Sequence, residues 1–290
     1  MHRYFWLLRL EYSFWFRRRM KIFDEIARMS GSGMACMLVT AVDKTGAGPV
    51  EAGKKMIVCE DGQASGTVGG GALEFHAREK CRELMKTGQN LLEKYYLNEG
   101  EIIDDATTLP MICGGTVTLF YEYIGPDAYV YVFGAGHVGQ ATVNVLKTMN
   151  YHVTVIDDRT HVIDTFTGAD RKVNSSFVDF IRKEGIRDGG FVLVCTPSHK
   201  YDYNVIEEIL ELKLTPSYIG MLCSMEKLAV FMKRIKERFG EPDLSNFYSP
   251  VGLDTGGGSP EEIAVSICAE ILAVKNKRTG HRHMRPVTYT

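Results

Sequence analysis

Apolar and polar positions alternate differently in the two halves of the chain. From residue 34 the run Met-Ala-Cys-Met-Leu-Val-Thr-Ala-Val is short, apolar and β-branched. The turn residues Lys44-Thr45-Gly46-Ala47-Gly48-Pro49 follow it, and Lys55–Cys59 is a second such run, so the pattern predicts two strands. A turn at Asp61-Gly62 leads into a further strand over Ala64–Val68 and then into Gly69-Gly70-Gly71. Apolar residues at 73, 77, 81 and 84 recur at helical spacing through Lys86, which predicts an amphipathic helix. Strands are also predicted at Leu91–Leu97 and Thr116–Ile124, before Gly125-Pro126-Asp127 marks a domain boundary. The first half therefore reads as α+β.

Beyond that boundary the period changes. Tyr129–Phe133 is an apolar strand, Gly134-Ala135-Gly136-His137-Val138-Gly139 opens a helix running to about Asn150, and His152–Ile156 is a strand ending in Asp157-Asp158-Arg159. Two more apolar strands, Phe191–Thr196 and Tyr218–Leu222, are followed by helical stretches at Tyr203–Lys213 and Met225–Phe239. A last helix over Pro260–Lys275 carries Ile263, Ile267 and Ile271 on one face. Strands alternating with helices imply a parallel sheet with right-handed crossovers, hence a doubly wound α/β domain.

A length of 290 residues suits two domains. With 45 % hydrophobic and 24 % charged residues the composition is that of an ordinary globular chain and excludes collagen-like, disordered and disulfide-scaffold classes. The net charge is −2 and the basic residues are scattered, so no nucleic-acid footprint is present. Seven cysteines, an odd number without a CxxC pair, spell out neither a zinc knuckle nor a disulfide framework, and the chain reads as cytoplasmic. Arg3, Arg9 and Glu11 interrupt the apolar leader before the roughly 18 residues that a membrane span needs. Residues 1–20 are expected to lie outside the fold, with Met20 as its start. An α+β domain over 21–125, a doubly wound domain over 128–276 and a polar tail over 277–290 complete the organisation. The tail holds His281 and His283, whose ordinary reading is a frayed terminus.

Three glycine loops are candidates for chemistry. In Gly134-x-Gly136-x-x-Gly139, between a strand and a helix, the first glycine permits the tight turn, the second admits a pyrophosphate and the third lets helix and strand pack closely. An acidic pair, Asp157 and Asp158, stands at the end of the next strand, where a ribose hydroxyl of an NAD-like ligand is bound; Arg159 beside it weighs against that preference. Gly69, Gly70 and Gly71 at a helix start suit either an anion-binding nest or a flexible cap. Around Gly256, Gly257 and Gly258 the cap chemistry is explicit: Ser259 as N-cap, Pro260 at the first helical position and Glu262 closing a capping box. The three consecutive glycines need a further reason, such as the close approach of a ligand or another backbone. His199, in the loop after Phe191–Thr196, is a general acid or base or a hydrogen-bonding bystander. Cys113, in Cys113-Gly114-Gly115, offers a reachable thiolate or packs against the following strand.

Taken in order, these stretches resemble the XdhC/CoxI family, accessory proteins for molybdenum hydroxylases such as xanthine dehydrogenase. The resemblance is carried by Gly53–Val58, Gly69–Glu74, Cys113-Gly114-Gly115, Phe133–Val138, Val155–Arg159, Tyr218-Ile219-Gly220, Pro250–Asp254 and Pro260–Ile267, and it covers about residues 21–275. It implies an N-terminal α+β domain followed by a Rossmann-like doubly wound domain. It also implies a chaperone that binds the molybdenum cofactor (molybdopterin), holds it while its terminal sulfur ligand is installed and delivers it to the apo-hydroxylase. A cysteine desulfurase and the hydroxylase are the implied partners, Cys113 the implied molybdenum ligand, and NAD or another nucleotide an optional addition. Many relatives carry Cys at the position of Gly71 and Thr-His-x-His where this chain reads Thr196-Pro197-Ser198-His199. Many also have Gly-Ser where this chain has Cys223-Ser224. An NAD(P)-dependent oxidoreductase and a nucleotide-sensing regulatory protein rank behind the accessory role, because His199 alone offers itself for proton transfer. On base rates the protein is expected to be a homo-oligomer, with neither nucleic acid nor membrane among its partners.

Overall fold

The computed structural model describes residues 22–29, 33–46, 48, 50–98, 104–111 and 114–279. The expected leader over 1–20, the cysteine at 113 and the tail histidines at 281 and 283 lie outside them. The chain divides between Pro126 and Asp127 into two compact units. Among the described residues no helix is long and apolar enough to cross a membrane.

The first unit is built on β1 (Cys36–Gly46), β2 (Lys55–Cys59), β3 (Ala64–Gly66), β4 (Leu91–Leu97), β5 (Thr107–Leu109) and β6 (Gly115–Ile124), ordered β3-β2-β1-β6-β4-β5. All neighbours are antiparallel except β4 and β5. Strand β1 outruns the expected turn: it pairs with β6 as far as Gly46 opposite Gly115, and the register shifts once between Ala41 and Asp43. Helix α2 (Gly71–Thr87) covers one face, because Leu73, Ala77 and Cys81 recur every fourth residue and bury themselves against Val39, Met56, Leu119 and Tyr121. It stops at Gly88, whose left-handed backbone lets its N–H reach Leu84 O. The helix at residues 22–29, α1, packs against the other face through Ile26 and Met29 over Cys36, Ile57 and Cys59.

The second unit alternates strand and helix throughout. In chain order it comprises β7 (Ala128–Phe133), α3 (His137–Leu146), β8 (Tyr151–Asp157), α4 (Thr160–Thr165), β9 (Arg171–Asn174) and α5 (Phe177–Glu184). Then come β10 (Phe191–Val194), α6 (His199–Glu211), β11 (Tyr218–Met221), α7 (Met225–Phe239), β12 (Phe247–Tyr248) and α8 (Pro260–Lys275). Every strand pairing is parallel, in the order β12-β11-β10-β7-β8-β9. The chain starts mid-sheet at β7, winds outward to β9, then crosses back to β10 on β7's other side. The order therefore reverses between β7 and β10, and in open α/β sheets ligands bind at the carboxyl ends of the strands flanking such a reversal. Both faces are covered, one by α3 and α8 around Val143, Leu146, Ile267 and Ile271, the other by α5, α6 and α7 around Phe180, Ile206 and Phe231.

The pattern of the sequence does not reveal α4, β9, α5, β5 or β12. Strand β9 is mostly exposed, as befits a sheet edge, and has no apolar alternation to announce it. Helix α6 begins earlier than its apolar period, because the Ser198 side chain accepts the Lys200 N–H and caps it. His199 is therefore the first residue of a helix rather than part of a loop.

A glycine loop at the switch point of the parallel sheet

Three residues of the loop from β7 to α3 lack a side chain for three different reasons. At Gly134, φ is +119°, and a Cβ there would lie 2.3 Å from Cys195 O at the end of β10. At Gly139 a Cβ would lie 2.1 Å from Gly134 O, so this glycine lets the first turn of α3 sit directly on the loop. Gly136 meets no such constraint: its φ of −76° suits any residue, and a Cβ would find no atom of the described residues within 4 Å. The protein itself explains the first and third glycines, whereas the second faces open space in front of the α3 N-terminus. That terminus has no side-chain cap and no acidic residue in its first turn, so its amides and the positive end of the helix dipole are available to an anion.

Asp157 ends β8 and fastens this loop. Its carboxylate accepts the Ala135 N–H at 2.8 Å, the Arg159 N–H at 3.0 Å, and Nε and Nη2 of Arg159 at 2.8 and 2.7 Å. The residue is fully buried. Burial alone would raise its pKa, but the hydrogen bonds from Arg159 and Ala135 prevail and hold it below the usual carboxylate range. The acidic pair thus splits: Asp157 is committed to protein donors, and the neighbouring Asp158 is exposed.

On the other side of the reversal, Thr196 after β10 is tied to the first turn of α6. Buried Asp202 accepts the Thr196 N–H at 3.1 Å and its hydroxyl at 2.6 Å. Burial nevertheless raises the Asp202 pKa. His199 is exposed and stands edge-on to the Tyr203 ring at 5.8 Å. Burial pushes the Cys195 thiol up to about 12, and Cys195 donates to Gly134 O at 3.5 Å, bracing the loop.

The other two glycine loops are filled by carboxylates of the protein. Gly69, Gly70 and Gly71 all have positive φ, and the nest they form with Val68 points its amides inward. Glu74, in the first turn of α2, places Oε1 there, 3.1 Å from the Val68 N and 2.9 Å from the Gly70 N, with the Thr67 hydroxyl as a third donor. Those donors outweigh burial and lower the Glu74 pKa. Glu262 does the same around Gly256–Gly258: its Oε2 accepts the Gly258 and Ser259 N–H groups at 2.9 and 3.0 Å, and Ser259 returns the capping-box bond. A Cβ at Gly257 would lie 2.8 Å from the Glu262 carboxyl, so this glycine makes room for the plug. The residue that sequence reasoning missed is Glu74. It sits one position beyond the place where a capping-box glutamate is sought, which is why its spacing gives no signal.

Two family models match, in the chain's own order: the XdhC and CoxI family over residues 30–96 and the XdhC Rossmann domain over residues 130–271. The chain belongs to the XdhC and CoxI family. The second model spans the parallel-sheet unit and includes the open glycine loop; the first includes the Glu74-filled loop. Among curated proteins similar to this chain, the Escherichia coli protein YqeB, described as uncharacterized, is 28 % identical over 92 % of this chain. A Bacillus subtilis protein described as a probable xanthine dehydrogenase component is 29 % identical over 56 % of it. The molybdenum cofactor insertion chaperone PaoD of Escherichia coli is 24 % identical, with 86 % of each chain covered. The chain spans about half the length of the first two, 48 % and 47 %. A solved structure described as a xanthine dehydrogenase from Bacillus halodurans is 21 % identical, with 92 % of this chain and 98 % of that one covered at a TM-score of 0.48. Among the described residues, no three of His, Cys, Asp and Glu gather to hold a metal ion.

Proposed function

We propose that this XdhC-family protein is an accessory factor for a molybdenum hydroxylase of the xanthine dehydrogenase type, binding the molybdenum cofactor, holding it during sulfuration and delivering it to the apo-enzyme. The observation that carries the reading is the Gly134–Gly139 loop: Asp157 takes its Ala135 N–H, but among the described residues the α3 N-terminus has no side-chain cap and no acid in its first turn, unlike the starts of α2 and α8. Its ligand is anionic, and a phosphate-bearing pterin cofactor meets that requirement. The naming of PaoD as a molybdenum cofactor insertion chaperone supports the class of cargo.

In this reading the α3 amides and Gly134, Gly136 and Gly139 hold the phosphate. Asp158 contacts a ribose hydroxyl when the occupant carries a nucleotide, His199 exchanges a proton at the carboxyl edge of the sheet, and Cys113 ligates molybdenum. Asp157 keeps the loop in shape. The loops at Gly69–Gly71 and Gly256–Gly258 take ligand only once Glu74 or Glu262 has moved out. A cysteine desulfurase supplies the sulfur, the protein works in the cytoplasm as a homo-oligomer, and NAD or another nucleotide is an optional occupant of the same loop.

Thermal stabilisation by molybdenum cofactor released from a hydroxylase, set beside that by NAD, tests the proposal in the wild type, Gly136→Val and Cys113→Ser. Cofactor is expected to stabilise the wild type; Gly136→Val is expected to keep its melting temperature and lose the shift, and Cys113→Ser to keep its melting temperature but release the cofactor. Stabilisation by NAD alone would turn the assignment towards a nucleotide-dependent oxidoreductase or sensor.

A further inference from the structure

Cys36 and Cys59 stand directly opposite each other on β1 and β2. The next pair along is hydrogen-bonded, Glu60 N–H donating to Ala35 O at 3.2 Å, while the Cys59 N–H turns away to Gln63 O at 2.8 Å. Hydrogen-bonded and non-hydrogen-bonded pairs alternate along an antiparallel ladder, so the two cysteines form a non-hydrogen-bonded pair, the narrow kind with Cα atoms about 4.5 Å apart. Disulfides bridge Cα separations of about 4.4–6.8 Å, and this one is within reach without moving either strand. Both thiols point to the same face of the sheet, into one apolar cluster with Ile57 and Met29, and are 0 % and 2 % exposed. Met29 belongs to α1 and roofs the pair, its Sδ accepting from Cys59 Sγ at 3.0 Å.

The electrostatics favour a neutral product. Burial first, then the neighbouring Cys59 and Glu25, push the Cys36 thiol up to about 12. Burial with Glu25 and Asp61 also raises Cys59, against the opposing pull of Arg28. A soft monovalent ion held by two thiolates would leave net negative charge in this dry pocket, whereas a disulfide leaves none.

We propose that Cys36 and Cys59 are a reversible dithiol–disulfide couple, oxidised by a small-molecule disulfide when α1 lifts Met29 off the pair. Cys59, the thiol on which Arg28 acts, loses its proton and attacks one sulfur of the oxidant, releasing the first small thiolate. The Cys36 thiolate then attacks Cys59 Sγ in the mixed disulfide, forming the cross-strand bond and releasing the second. Two protein thiols are oxidised, one small disulfide is reduced to two thiols, and the two protons given up by the protein are taken by the departing thiolates.

The test equilibrates the full chain in buffers of oxidised and reduced glutathione, blocks free thiols by alkylation and maps the peptides. The expected results are a Cys36–Cys59 cross-linked peptide, its loss with dithiothreitol, and a rise in Tm of roughly 5–10 °C on oxidation. Met29→Ala, which opens the roof, is expected to form the bond several-fold faster. Half-buried Cys223, hydrogen-bonded to Ser249, serves as the internal control. Modification of Cys223 with Cys36 and Cys59 recovered as free thiols, or mixed disulfides at Cys59 that never resolve, would overturn the proposal. An unchanged rate in Met29→Ala would overturn the part assigned to α1.

Discussion

The helix starts at Gly70 and Gly136 are built from the same residue type, and they differ in what lies before their amides. In front of α2 the Glu74 carboxylate, from the helix itself, accepts from Val68, Gly70 and Thr67; α3 has neither a side-chain cap nor an acid in its first turn, and the carboxylate on its loop, Asp157 of β8, takes the Ala135 N–H. A glycine loop at a helix start is therefore only half of an anion site. The other half is whether the helix carries its own anion within reach. The same distinction separates glycines within one loop, since Gly134 and Gly139 are required by neighbouring backbone and Gly136 is not.

The harshest way to break this comparison is to place a methyl group where backbone already stands. Gly139→Ala puts Cβ against Gly134 O, and α3 must shift from β7 to admit it. A loss of roughly 3 kcal/mol or more is expected, read from the urea midpoint of the second unit's transition. Gly136→Val in the same assay is expected to stay within about 1 kcal/mol of wild type, the ordinary cost of a poorer cap. Equal losses in the two variants would mean that Gly136 is structural and that the open space before it has no special meaning.

Next in size is the clamp that shapes the open loop. Asp157→Ala strands the Arg159 guanidinium and the Ala135 N–H and is expected to cost about 2–4 kcal/mol, because the acceptor it removes is buried while the arginine is partly exposed. The pH dependence has a definite sign. The folded-state pKa of Asp157 is depressed, so its contribution is complete above the unfolded value of about 3.9 and fades as pH falls through the lower folded value. The stability gap between wild type and Asp157→Asn should accordingly narrow below about pH 4 and stay constant from there to neutrality. A gap that widened in acid would show that the carboxylate is not the stabilised form.

Much of the fold was legible because its signals are local. The Gly134–Gly139 loop, the apolar strands β7, β8, β10 and β11, and the Ser259-Pro260-Glu262 start of α8 each declare themselves within a few residues, and the last is present in full as a capping box. What was illegible depends on partners distant in sequence. Edge strand β9 exists because Thr154–Asp157 pair with Arg171–Asn174, not because its own residues alternate. The division of labour between Asp157 and Asp158 follows from Ala135, 22 residues earlier. Glu74 as a plug is visible only once three positive φ angles have turned the amides of its loop towards it.

That plug gives the third test, of intermediate size. Glu74→Ala removes the acceptor of two amides and a hydroxyl and is expected to cost about 1–2 kcal/mol. The same variant should turn a closed loop into an open one: sulfate is expected to leave the first unit of the wild type unchanged and to raise the melting temperature of Glu74→Ala in proportion to the logarithm of its concentration. A variant that is destabilised yet indifferent to sulfate would show that the glycine nest cannot hold an anion even when emptied. The contrast with α3 would then rest on more than the plug.

The smallest expected effect on stability is also the sharpest on ligand. Asp158 is exposed, next to a carboxylate already committed to protein donors, at the carboxyl end of β8 where a ribose lies in dinucleotide-binding sheets. Asp158→Ala is expected to leave stability within about 0.5 kcal/mol of wild type, since surface changes away from caps and ion pairs seldom do more. If the open loop takes a nucleotide-bearing ligand, the variant loses a charged hydrogen bond to a sugar hydroxyl, which corresponds to a roughly tenfold or greater weakening. A cofactor with no nucleotide has no hydroxyl to offer at that place, so its affinity should be unchanged. Titrating both ligands against the wild type and Asp158→Ala separates the cases. Parallel weakening would place the carboxylate on the phosphate side of the site, and no weakening of either would leave the α3 terminus as the only element of β7, β8 and α3 in contact with ligand.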